Sequence, residues 1–391
     1  MPSPFTSAGA GLWNANATWG TANANDFPGN LVDDDIVNIG HNVVFNTSPG
    51  KNLGGIAFTG ASYLFCNTTQ TLKFNATGYI SDAGTNATAS IQLTAAGPTL
   101  TIQTIGGANA TFLTNSSATA SHIALNMTGA SILNIGNASN AVGNITVNCV
   151  TGKGIFNPGS GNLVIYCTNV LQSQGTNVVQ SGGSGNLMLT GNVMANNTGS
   201  AVSFTGTGGT AHSITGNITA NAAGAIGLNF AGTNTTLTVT GDCLVNGQAY
   251  ATPAIGFNFI AAATGNLTFV GNFTGSAGAA NNLGYHVAFQ NAGNFIWSNS
   301  SIRSLANNTD VTIGCNGGSF NMNGVTLNIG NNARLAFRAT SATAATTLNT
   351  TGANIAYQGI GAGCTYPGVS LPIAYSAAAV AGGGTFRGAF G

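Results

Sequence analysis

A short strand-like run recurs along most of the chain, and this repeat constrains the fold more than any other feature. Eleven such runs follow one another about every 25 residues on average, a period typical of stacked structural repeats. An antiparallel sandwich or barrel usually shows hairpin turns at shorter spacing, about 8 to 12 residues. The runs are TLKFNA (71–76), TLTIQT (99–104), HIALNM (122–127), NITVNC (144–149), NLVIYC (162–167), NLMLTG (186–191), HSITGN (212–217), TLTVTG (236–241), NLTFVG (266–271), NFIWSN (294–299) and NMNGVT (321–326).

Each run alternates in the manner of a β-strand. In residues 186–191, for example, Leu187 and Leu189 would point to one side and Met188 and Thr190 to the other. Gly and Asn interrupt almost every window in which a helical stripe could develop. The sequence therefore predicts an all-β parallel β-solenoid, with one run per coil and one or two further strands between successive runs.

The charge content fits such stacking. The chain has seven Lys or Arg, seven Asp and no Glu, so only 4% of its residues are charged. Coils stack about 4.8 Å apart, and like charges at that distance destabilise a sheet, whereas the amides of Asn can bond to each other from coil to coil. With a net charge of zero and no basic cluster, neither nucleic acid nor an anionic membrane surface is an expected partner. The longest quiet apolar stretch, 369–382, is too short to span a bilayer, so no membrane insertion is expected.

Both ends of the chain depart from the repeat. Residues 1–38 are predicted to form an N-terminal arm and cap, in which Trp13 and Trp19 would cover the first coil. The β-solenoid itself is predicted for residues 39–357. Residues 358–391 break the rhythm and are predicted to form a C-terminal arm that makes an oligomer or assembly contact.

The pattern resembles the right-handed parallel β-helix proteins, which include pectate-lyase-like folds, phage tailspikes and autotransporter passengers. This resemblance covers roughly residues 40–357 and rests on the spacing and alternation of the runs. It implies a right-handed coil. The resemblance to viral β-helices also implies a homotrimer.

Candidates for catalysis are few. Glycan-cleaving enzymes need two carboxylates some 5 to 9 Å apart, but Asp242 and Asp310 are isolated from each other in the sequence. No Ser or Cys lies in a nucleophile-elbow context, and the four His residues are far apart, so we expect structural histidines, no catalytic residue and no cofactor. In the Asp33–Asp35 triplet only Asp33 and Asp35 could share a side of a strand, which makes them the one candidate pair for Ca²⁺. The alternative is that the triplet forms a solvated turn before the first strand.

The cysteines and glycosylation sequons complete the candidates. Six Cys residues occur without a CxxC motif, which favours buried thiols and leaves open a disulfide between Cys149 and Cys167. The chain has 18 N-x-S/T sequons, a modest excess over chance, and they matter only in a glycosylating compartment. The selected glycosylation candidates are Asn67, Asn75, Asn109, Asn144, Asn217 and Asn266.

These observations predict a non-enzymatic structural protein. The first expectation is an external component of a virion, such as a capsid decoration, fibre or tailspike-like protein of a phage, because no secretory leader is visible in MPSPFTSAGAG. Its partners would be further copies of itself, other structural subunits and surface glycans. The alternative is an extracellular or cell-surface filament subunit or adhesin, which would carry N-linked glycans if it is made in a glycosylating compartment. The third is a polysaccharide-cleaving β-helix enzyme.

Overall fold

In a computed structural model of the chain, the protein is an all-β, parallel β-solenoid, as predicted. The described residues contain almost no helix. The chain divides into two compact units, residues 1–192 and 193–391, each of which is described by itself. The structure describes residues 4–60, 62–82, 90–93, 97–104, 111–115, 123–127, 129–147, 153–174, 177–208, 211–246, 252–260, 262–275, 284–297, 302–305, 310–315, 317–322, 326–329, 334–339, 347–349, 354–357, 380–381 and 385–387.

The described part of the first unit contains one helical turn and short strands. These elements are β1 (Phe5–Thr6), β2 (Gly11–Leu12), α1 (Asn16–Trp19), β3 (Asp35–Ile39), β4 (Val43–Val44), β5 (Leu53–Phe58), β6 (Tyr63–Phe65), β7 (Gln70–Asp82), β8 (Ser90–Leu93), β9 (Thr99–Thr104), β10 (Thr111–Asn115), β11 (Ile123–Met127), β12 (Ile132–Ile135), β13 (Asn144–Val147), β14 (Lys153–Asn157), β15 (Leu163–Gln172), β16 (Val179–Gly183) and β17 (Leu187–Ala195).

Three walls of parallel strands form the first unit. Wall 1 contains the first half of β7, then β9, β12, the first half of β15 and the start of β17. Wall 2 contains β1, β3, β5, the second half of β7, β10, β13 and the second half of β15. Wall 3 contains β2, β4, β6, β8, β11, β14 and β16. From β7 onward the chain therefore passes from wall 1 to wall 2 to wall 3 in each rung, whereas the strands before β7 lie on walls 2 and 3.

The second unit repeats this three-walled plan. Its strands are β18 (Gly199–Gly206), β19 (His212–Thr215), β20 (Ile218–Ala220), β21 (Ala225–Phe230), β22 (Thr236–Thr240), β23 (Cys243–Val245), β24 (Ile255–Phe259), β25 (Asn266–Val270), β26 (Phe273–Gly275), β27 (Tyr285–Phe289), β28 (Asn291–Trp297), β29 (Ile302–Leu305), β30 (Asp310–Cys315), β31 (Gly317–Asn321), β32 (Thr326–Ile329), β33 (Arg334–Ala339), β34 (Thr347–Asn349), β35 (Asn354–Tyr357), β36 (Val380–Ala381) and β37 (Thr385–Arg387).

Alternation places apolar side chains inside and polar ones outside. Leu187 and Leu189 are buried, whereas Met188 and Thr190 are exposed, as predicted. In the second unit, Phe rings form an internal stack on successive rungs of one wall, with centroids 5.0 to 5.7 Å apart. Burying rings in this way supplies apolar area on each of these four rungs. The stacked residues are Phe204, Phe230, Phe259 and Phe289.

The prediction of one run per coil was wrong between residues 105 and 161. The run at 122–127 contains β11, which belongs to wall 3, and the run at 144–149 contains β13, which belongs to wall 2. On wall 1, Ile102 pairs with Ile135 and Ile135 with Ile165, so each of these rungs is longer than the mean spacing of the runs. Strands of all three walls alternate alike, so the pattern alone does not say which wall a run occupies. The prediction of a single strand at 321–326 was also wrong, because this run contains the end of β31 and the start of β32, with Met322 outside either strand.

Residues of the predicted N-terminal cap contribute strands and a cluster of aromatic rings. β1 pairs with β3 and β2 with β4. Trp13 is fully buried, and its ring lies 5.3 Å from that of Trp19 and 5.0 Å from that of Phe45. Both indole N–H groups donate to main-chain carbonyls, those of Pro28 and Trp13. Of the predicted C-terminal arm, 358–391, all but the backbone of β36 and β37 lies outside the described residues.

Candidate functional site

The carboxylates of the Asp33–Asp35 triplet hold a turn together. Asp34 has a left-handed backbone with φ of 70°, so the triplet does not continue the strand alternation. Asp33 is exposed, and its Oδ1 accepts the Asn52 N–H at 2.8 Å. Asp35 points inward instead, and its Oδ2 accepts the Gly29 N–H at 2.9 Å. The described residues contain no group of three or more His, Cys, Asp or Glu that could hold a metal ion.

Burial of Asp35 has an electrostatic cost. The side chain is 1% exposed, and loss of hydration raises the pKa of its carboxyl, an effect that the Gly29 hydrogen bond opposes. The other three aspartates of this region, Asp26, Asp33 and Asp34, raise the pKa further. The Asp35 carboxylate thus holds the main-chain N–H of Gly29, and the Asp33 carboxylate holds that of Asn52.

Asparagine ladders link successive rungs, as the sequence predicted for neutral stacking. In the first unit the Asn169 amide donates to Asn144 Oδ1 at 2.8 Å, and Asn192 donates to Asn169 Oδ1 at 3.3 Å. In the second unit Asn221 donates to Asn196 Oδ1 at 2.7 Å, and Asn246 continues that ladder. Each amide both donates and accepts, so it can serve as a repeated link between rungs.

Asp242 occupies a ladder position in the second unit. Its main-chain N–H donates to Asn217 Oδ1 at 2.9 Å, and its own Oδ1 accepts the Asn272 N–H at 2.9 Å. The rung neighbours of this carboxylate are thus amides, and its acceptor oxygen already serves a turn. The side chain of Asp310, the other acid considered for catalysis, lies outside the described residues.

The glycosylation candidates differ in their access to solvent. Asn67 is exposed in the turn after β6, and Asn217 is exposed in a ladder. Asn144 and Asn266 accept ladder hydrogen bonds, and Asn75 donates to the Asp34 carboxylate. Ladder side chains contact the Asn side chain of the next rung, so the exposed turn at Asn67 gives an attached glycan the most room. Asn109 lies outside the described residues.

The described histidines make main-chain contacts. Nε2 of His212 lies 2.6 Å from the Gly208 oxygen, and Nε2 of His286 lies 2.7 Å from the Thr274 oxygen, so each ring nitrogen donates to a carbonyl. Burial lowers the pKa of His286 to about 4. His41 contacts Ser7 through Nδ1, and His122 lies outside the described residues.

The described cysteines are free, buried thiols. Burial raises the pKa of Cys66 to about 11 and that of Cys167 to about 12, and it also raises that of Cys243. Such thiols carry little thiolate at neutral pH. Cys149, the proposed partner of Cys167, lies outside the described residues, as do Cys364 and the side chain of Cys315.

One outward-facing feature was not predicted from the sequence. On wall 3 of the first unit, pairing aligns Phe65 with Gln92, Gln92 with Asn126, Asn126 with Phe156, and Phe156 with Gln180. Each of these side chains is partly exposed. Tyr63 lies beside Phe65, with ring centroids 5.3 Å apart. We call this set the aromatic–amide strip; its members are Tyr63, Phe65, Gln92, Asn126, Phe156 and Gln180.

The strip could not be found without the strand register. Its members on successive strands lie far apart along the chain and share no motif. Their buried neighbours, such as Leu64, Ile91 and Leu125, form the matching inward column. Once the pairing of these inward residues is known, the outward column follows from the two-residue period of a strand.

No known protein family, curated protein or solved structure matches the chain. Within the described residues, no helix has the length and apolar character needed to cross a membrane.

Proposed function

We propose that this chain is a non-catalytic structural protein that forms an external component of a larger assembly, with a virion decoration, fibre or tailspike-like protein as the first choice. The observation that carries the proposal is the structural use of its carboxylates. Asp33, Asp35 and Asp242 each accept a main-chain N–H from another segment. Carboxylates are scarce in this chain, and these three accept structural hydrogen bonds. This use favours a rigid building block over a catalyst.

The ladders support the same proposal. Side-chain amides link successive rungs, in addition to the main-chain pairing between strands. A repeat stabilised by nearest-neighbour contacts suits an extended, mechanically stable element. Its partners would be other copies of the chain, with a homotrimer implied by the resemblance to viral β-helices, and further structural subunits.

An extracellular filament subunit or adhesin of a cell is the second candidate. The specific observation in its favour is the exposed sequon at Asn67, which lies in a turn with room for an attached glycan. This candidate predicts sugar on Asn67. The virion candidate, for a phage, predicts an unmodified amide there.

Electron microscopy of the native assembly tests the proposal. Antibody against the chain, detected with gold, should label the outside of particles, and mass spectrometry should find Asn67 unmodified. Labelled filaments or cells with a glycan on Asn67 would favour the second candidate over the first. Cleavage of a polysaccharide that is lost on Asp242→Asn or Asp310→Asn, with the fold retained, would overturn the non-enzymatic proposal.

A further inference from the structure

We propose that the aromatic–amide strip binds a neutral, linear polysaccharide, with the sugar chain running across the strands of wall 3 in the first unit. The inference deepens the proposed function, because it gives the surface component a ligand class and a binding face. Four features carry it: partly exposed rings, aligned amides, the near-absence of charge, and the size of the strip.

The rings supply the stacking surface. Tyr63 and Phe65 are two residues apart on β6, so both side chains point outward. Their planes are inclined by 43° with centroids 5.3 Å apart, and both are partly exposed. The electron-rich face of an aromatic ring attracts the slightly positive C–H groups on one face of a pyranose. This pair therefore forms a platform for one sugar ring.

The amides supply hydrogen bonds beyond the platform. Gln92 and Asn126 follow Phe65 on the next two rungs, and Gln180 follows Phe156. Primary amides donate and accept, as sugar hydroxyls do. Asn126 Oδ1 is buried without a hydrogen-bond partner, a costly state that rotation of the amide towards a ligand hydroxyl would relieve.

The charge of this surface selects an uncharged ligand. Lys153 is the one Lys, Arg, Asp or Glu on the described strands of wall 3 in the first unit. Its Nζ lies 4.3 Å from the centroid of the Phe156 ring, so this cation is already engaged, and burial lowers its pKa. An anionic polysaccharide would find no basic cluster here.

The dimensions favour a glycan over a second copy of the chain. From Phe65 to Gln180 the strip crosses five strands, about 19 Å at a spacing of about 4.8 Å, and three strand residues make it about 10 Å wide. The resulting area of roughly 200 Å² is a quarter of the ~800 Å² that each partner buries in a stable protein interface. A sugar chain a few rings long fits that area.

Binding measurements on the full chain test the inference. Isothermal titration calorimetry would use soluble dextran, a mixed-linkage β-glucan and a galactomannan as neutral probes, with alginate as the anionic contrast. We expect at least one neutral probe to bind and alginate not to bind. Phe65→Ala and Tyr63→Ala should each weaken binding about tenfold. The matched control is Tyr166→Ala, which removes a partly exposed tyrosine from wall 1 and should leave binding unchanged.

Three outcomes would contradict the inference. Failure of every neutral probe to bind the unaltered chain would overturn the inference, as would equal losses in the Phe65 and Tyr166 variants. Sedimentation of the same proteins covers the other occupant: an oligomer that dissociates on Phe65→Ala, without a change in sugar binding, would assign the strip to contact between copies. None of these results alters where electron microscopy places the chain, so the proposed function is tested separately.

Discussion

Asn272 donates two hydrogen bonds to Asp242 on the preceding rung. Its main-chain N–H lies 2.9 Å from Asp242 Oδ1, and its Nδ2 lies 3.4 Å from the same oxygen. A carboxylate therefore replaces an amide within an otherwise neutral ladder. The flanking residue on the other side, Asn217, accepts from the Asp242 main-chain N–H through its own side chain. This position tests whether the ladder needs an acceptor or a charge.

Replacement of Asp242 should separate these two requirements. Asp242→Asn retains an acceptor oxygen, so we expect the free energy of unfolding to change by no more than about 0.5 kcal/mol. Asp242→Ala removes the oxygen that accepts both of these exposed Asn272 hydrogen bonds and should cost about 1 kcal/mol. Urea unfolding of both variants measures the difference. Equal destabilisation by Asn and Ala would mean that the charge itself is required.

His286 should make stability depend on pH. Its pKa falls from 6.5 to about 4 in the folded chain, so only the unfolded chain takes up a proton between these values. His286 therefore does not change the free energy of unfolding above pH 6.5. As pH falls from 6.5 towards 4, its protonation in the unfolded chain lowers the free energy of unfolding by on the order of 3 kcal/mol in total. Unfolding midpoints at pH 8, 6, 5 and 4 measure the loss.

His286→Gln provides the control for that titration. The Gln amide can donate to the Thr274 oxygen, as the ring Nε2 does, but does not titrate. The acid-induced loss should therefore shrink in this variant. Asp35 acts in the opposite sense, because its raised pKa favours the folded chain at low pH. Its contribution is the same in the unaltered chain and in His286→Gln, so it does not affect the comparison. An identical pH profile for the two proteins would contradict the assignment to His286.

Gly161 should tolerate no side chain. A Cβ at this position would overlap the main-chain oxygen of Ser131, which belongs to the neighbouring rung and cannot move without shifting the sheet. Gly161→Ala should therefore destabilise the protein by about 3 kcal/mol or more. Gly9→Ala is the control in the same unit, since nothing lies within 4 Å of its added Cβ. Thermal unfolding of the two variants should differ clearly, and similar melting temperatures would contradict the close stacking of these turns.

The buried thiols should resist alkylation in the folded protein. With pKa values of about 11 and 12, Cys66 and Cys167 carry at least about 100-fold less thiolate at pH 8 than an ordinary cysteine. Iodoacetamide labelling followed by peptide mass spectrometry should show modification at these sites only in denaturant. Labelling of Cys167 at equal rates in the folded and denatured chains would contradict its burial.

The sequence predicted the strands better than their places in the rung. Alternation at Leu187 and Leu189 correctly gave the inward side, and the excess of Asn correctly indicated ladders such as that of Asn144 and Asn169. The positions of β11 and β13 were missed because rung length varies and the three walls share one alternation. For Asp33 and Asp35 the sequence left open a Ca²⁺ pair on one side of a strand or a solvated turn. The left-handed Asp34 forms a turn in which one carboxylate points outward and the other inward.

The candidate site was harder to predict for a related reason. Phe65 and Phe156 become members of one column only through three successive strand pairings. A sequence of this composition contains many partly exposed aromatic and amide residues, and their alignment depends on how many residues each turn absorbs. Function at such a surface is therefore a property of register rather than of a local motif.

The uneven rungs also indicate where this chain could accept foreign sequence. In the second unit Ile214 pairs with Val239 and Val239 with Phe269, although the second of these coils is longer than the first. The strands keep their alignment because the extra residues fall between strands and not within them, at an entropic cost that grows slowly with length. Peptides inserted between strands would therefore leave the pairing intact, whereas an odd insertion inside a strand would turn its interior outward.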